Sequence, residues 1–171
     1  MTTKTILIAS LVATFVASIG FMPAMASSTL PYLTLVSSTI TSSPQSVTIV
    51  TGAPVASGIP NDYGYGVISE HGVLAITTHA GVLDSVTQHG AASNPVFHTH
   101  LVTLKSATDC SFAAVDTASL NQVGDLKISG NTISVTNIDS SVGTLTGPTV
   151  SFTLTLGSDN DICVNPVSHI P

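Results

Sequence analysis

The chain has 171 residues with three lysines, no arginine and nine acidic residues, a formal net charge of −6. Nucleic-acid binding is excluded on this balance, because neutralising phosphates needs Lys or Arg, and a polybasic membrane patch is excluded on the same ground. Disorder is also excluded, since it requires low hydrophobicity and high charge, whereas 43% of this chain is hydrophobic and only 7% is charged.

In chain order, Lys4 precedes an apolar run from Ile6 through Phe21 and the small-residue site Ala24-Met25-Ala26. That order predicts a secretory signal peptide over 1–26, cleaved after Ala26. The mature domain is then residues 27–171, a common single-domain size that can bury a two-layer core. Secretion or display outside the cytoplasm follows as an expectation, with no membrane attachment after cleavage. Cys110 and Cys163, the only cysteines, are expected to form a disulfide. Closing a loop of that length is worth about 4 kcal/mol in chain-entropy terms.

Short β-branched segments bounded by turn residues run through the mature part, and no segment carries a sustained helical period. Strands are predicted at Leu30–Val36 and Ser46–Thr51. The Gly- and Pro-rich stretch Gly52–Gly66 predicts a long surface loop holding Tyr63 and Tyr65. Val73–His79, Val82–Thr87 and Val96–Lys105 follow as strands. Val123–Ser129 and Thr132–Ile138 flank Gly130-Asn131, a dipeptide suited to a tight hairpin. Thr149–Leu156 alternates apolar with hydroxyl residues, and a last strand surrounds Cys163. The expected class is therefore all-β: a single antiparallel β-sandwich, Ig-like or Greek-key, with one disulfide.

Five of the six histidines fall between residues 71 and 100. His98 and His100 are one residue apart in a predicted strand, so their side chains point to one side, close enough to share an ion. His79, ending the preceding strand, is the expected third ligand. His89 or Asp84 are additional candidates, with His71 and Glu70 also in sequence range. Imidazoles suit copper or zinc better than calcium or magnesium, which prefer oxygen.

The tetrapeptide Phe97-His98-Thr99-His100 resembles the copper-ligand strand of the copper-zinc superoxide dismutases, which are β-sandwiches with one disulfide. The likeness covers four residues. That family's active-site arginine has no counterpart in a chain without arginine, and its bridging histidine and zinc loop are not matched, so its activity does not carry over. Cys163 and His169 near the C-terminus invite comparison with blue-copper carriers. The mature chain lacks a methionine for the axial position, and Cys163 is expected in the disulfide.

Asp159-Asn160-Asp161 after Gly157 reads as a solvated turn, since no further acidic residue follows at calcium-loop spacing. Asn61-Asp62 reads the same way. No Gly-x-Ser-x-Gly elbow, phosphate loop, dinucleotide fingerprint or paired thiol motif occurs. The expected function is thus binding of a transition metal by an exported β-sandwich, with enzymatic activity not implied. The alternative is a structural or adhesive surface-layer or fibre-forming protein without a ligand, whose partners are other envelope or surface proteins.

Overall fold

The computed structural model describes residues 30–55, 62–78 and 97–171. Among these residues every regular element is a β-strand or one of two short 3-10 turns, Pro31–Leu33 and Ser140–Val142. Ten strands form: β1 (Leu35–Ser42), β2 (Gln45–Thr51), β3 (Tyr63–Ser69), β4 (Gly72–Thr78), β5 (His98–Lys105), β6 (Ala113–Ala118), β7 (Asp125–Ser129), β8 (Thr132–Thr136), β9 (Leu145–Leu156) and β10 (Ile162–Ile170). All their pairings are antiparallel.

Two sheets pack on each other. The smaller has the order β1-β2-β8-β7, and the larger, β3-β4-β5-β6-β10-β9, curls until β9 meets β3 and closes a barrel. The chain runs β3 to β6 as a meander, crosses to the smaller sheet for β7 and β8, and returns to lay β9 beside β3. Returns of this kind are the Greek-key device. The sandwich expected from the strand pattern is therefore observed, with one of its layers closed on itself.

Alternation along the strands builds two apolar zones. Val47, Ile49, Ile133 and Val135 of the smaller sheet pack against Tyr63, Tyr65, Leu74 and Ile76 on the outer wall of the barrel. The opposite faces of the barrel strands supply Ala75, Val102, Phe152 and Val164, with Leu104, Val115 and Leu154 against them. These residues come from five strands around the ring and meet one another, so they fill its interior.

Three sequence expectations shift. Pro31 opens a 3-10 turn over Pro31–Leu33, so the first strand runs later than Leu30–Val36. Tyr63 and Tyr65, expected in a surface loop, are fully buried in β3. The Tyr65 hydroxyl donates to the Tyr32 carbonyl at 2.6 Å, and the Tyr63 ring stacks near Tyr32 and Phe97 at centroid distances of 5.0 and 5.3 Å. β6 was absent from the sequence pattern. The predicted strand Val82–Thr87 and the loop after it lie outside the described residues.

Cys110 and Cys163 are bonded, as their count implied. Cys163 sits in the shortest seam of the barrel, where β10 meets β6 over only Cys163 opposite Ala114 and Val164 opposite Ala113.

Candidate metal centre

His98 and His100 open β5 and pair with Thr77 and Ala75 of β4. Directly opposed residues in an antiparallel pair share a face, and Ala75 belongs to the barrel interior. Both imidazoles therefore lie on the inner face of the wall. His98 is 0% exposed and His100 5%. Their ring centroids stand 4.6 Å apart with planes at 85°. The two rings share one side of β5, as strand alternation dictates.

Thr99 between them holds this orientation. Its hydroxyl donates to the Gly124 carbonyl at 3.2 Å and accepts from the Val123 amide at 3.1 Å, so it faces the segment that enters β7. With Thr99 tied to the other sheet, the pleat leaves its neighbours no choice but the interior.

Ser119, just past β6, supplies a contact that the sequence pattern did not reveal. His100 Nδ1 lies 2.6 Å from the Ser119 carbonyl oxygen. A carbonyl only accepts, so Nδ1 carries a proton and donates it to Ser119. Ser119 is itself strapped to β5: its amide donates to the Leu101 carbonyl at 2.9 Å, and its hydroxyl accepts from the Leu101 amide at 3.0 Å. Metal-ligating histidines commonly have their second nitrogen fixed by a backbone carbonyl in this way.

The opposite neighbour of His98, Thr77, commits its hydroxyl to the Tyr63 carbonyl at 3.0 Å. His79 follows β4 directly in sequence, but His79, His89 and Asp84 all lie outside the described residues. Glu70 and His71 are at the other end of β4, in the turn to β3, roughly 17 Å along the strand at the usual rise. They cannot join the His98–His100 pair. Glu70 instead accepts from the Thr144 amide at 3.3 Å. His169 is exposed on β10, opposite Val150.

Among the described residues, Asp109, Cys110 and Cys163 bring donor atoms within 4.8 Å of one another. Two of these are the disulfide sulfurs, so the group lacks free thiolates to offer an ion. The Asp159–Asp161 segment is a turn: the Gly157 amide donates to the Asp161 carbonyl at 2.8 Å, and Lys105 Nζ pairs with Asp161 Oδ1 at 2.8 Å.

Compared with known proteins, the chain matches no family model, no curated protein and no solved structure.

Proposed function

We propose that this protein binds a transition metal ion, copper or zinc, through His98 and His100, outside the cytoplasm. The observation that carries the reading is the pair itself: two buried imidazoles on one wall of the barrel, 4.6 Å apart. One of them has its Nδ1 held by a main-chain carbonyl at 2.6 Å, which fixes the ring on this wall. Nitrogen donors of this kind favour copper and zinc over the oxygen-seeking cations. His79 is the proposed third ligand, with His89 or Asp84 as further candidates. The Cys110–Cys163 disulfide supports an oxidising compartment. A role in storage, sequestration or delivery asks only for binding, whereas catalysis would add an open coordination position.

Equilibrium dialysis of the purified chain against copper and against zinc, followed by elemental analysis, tests the reading. Wild type is expected to retain about one ion per chain, and the His98→Ala/His100→Ala double variant to retain none above background. Equal retention by both would remove the proposal. A Ser119→Ala variant refines the test, because loss of its hydroxyl frees the carbonyl that holds His100. Affinity is then expected to fall by about tenfold, the lower end of what outer-shell changes cost.

A further inference from the structure

Among the described residues β1 ends the smaller sheet, and its residues from Val36 to Ser42 are exposed apart from a half-buried Ser38. From Ser37 it reads Ser-Ser-Thr-Ile-Thr-Ser, with no charge and no proline. Edge strands are usually guarded against pairing with another chain by charges, proline or bulges. At the other edge of the sheet, β7 carries exposed Asp125 and Lys127. β1 has only a bulge between Leu35 and Ser37, which leaves the six residues after it regular.

We infer that β1 pairs antiparallel with β1 of a second copy of this chain, across a two-fold axis normal to the sheet. The two four-stranded sheets then become one continuous sheet. A second copy fits this edge for three reasons. Two chains of net charge −6 repel each other, and β1 carries no charged residue of its own to add to that repulsion. The strand is self-compatible: Ser37, Thr39 and Thr41 share its outer face, so any register that keeps the faces aligned sets hydroxyl opposite hydroxyl, a favourable cross-strand pair. On the inner side Ile40 is 38% exposed, and pairing brings it under a neighbouring chain.

Contact over six residues buries less area than the roughly 1,200–2,000 Å² of standard stable interfaces, so the dimer is expected to be weak and concentration-dependent. Binding of an ion at His98 and His100 plays no part in this association.

Sedimentation equilibrium of the purified chain over a wide concentration range tests it, together with Thr39→Lys and Thr39→Glu. Thr39 is exposed and its sheet neighbour on β2 is Thr48, so both variants are expected to keep the wild-type unfolding temperature. Wild type should show a monomer–dimer equilibrium. Each variant alone should associate at least tenfold more weakly, because like charges come close on the shared outer face of the paired strands, and an equimolar mixture of the two should restore the dimer. A wild type that stays monomeric throughout would overturn the inference. So would variants that dimerise as well as wild type, or a mixture that associates no better than its components.

Discussion

A Cβ placed on Gly64 would stand 2.8 Å from the Phe152 ring and 2.5 Å from the Ile76 carbonyl oxygen. Gly64 alternates with Tyr63 and Tyr65 along β3, so the tyrosines fill the space between the sheets while the glycine lets Phe152 lie flat against the inner wall. Gly64→Ala is therefore expected to destabilise the fold by about 1–3 kcal/mol, the range for overpacking. Chemical denaturation measures this as a lower midpoint with an unchanged slope. An unchanged midpoint would mean that Phe152 does not press on this position.

The same residues explain where the sequence misled. Tyr63-Gly64-Tyr65-Gly66 lies beside a Pro- and Gly-rich stretch, and glycine there reads as turn punctuation. Its actual role is to admit Phe152, which is 88 positions away and reaches Gly64 only through the β3–β9 pairing. β2, β4, β9 and the Gly130-Asn131 hairpin were legible because their signals are local: alternation, β-branching and a glycine at φ 59°. Closure of the barrel was not, since no local pattern records that β9 meets β3 or that β10 meets β6.

At the candidate site the split is similar. That His98 and His100 share a face follows from the pleat alone and could be read directly. Ser119 could not be found that way, because β5–β6 pairing delivers its carbonyl to His100, and β6, with Ala113-Ala114 at its start, has a weak strand signature. The further candidates Glu70 and His71 are near in sequence but far along the strand from His98 and His100.

The disulfide closes the barrel where hydrogen bonding is thinnest, two residue pairs against eight between β9 and β10. Replacing Cys110 and Cys163 with serine is expected to cost about 2–5 kcal/mol. The loss should be local before it is global. Amide hydrogen exchange should accelerate most at Ala113, Ala114, Cys163 and Val164, and less along β3 and β4. Equal acceleration in every strand would show that the bridge does not act through this seam.

Alkaline pH should unfold the protein through its tyrosines. Burial, with Tyr32 close by, pushes the Tyr63 phenol from 10.0 up to about 12, and burial raises Tyr65 as well. Raised values mean that the folded state holds these protons more tightly than the unfolded chain. The associated stability is intact below pH 10 and is lost as pH rises through 12. Phenolate absorbance and far-ultraviolet circular dichroism should therefore change together above pH 10. Full ionisation of all three tyrosines with the fold intact would contradict this packing.

The most direct measurement of the central claim is a zinc titration followed by NMR of the histidine ring nitrogens. The account predicts that the His98 ring and His100 Nε2 shift together and saturate at about one equivalent. The His100 Nδ1 proton should stay in place on the Ser119 carbonyl throughout. Ring signals of His98 and His100 that remain unmoved at saturating zinc would contradict the account, whatever other groups the ion perturbs.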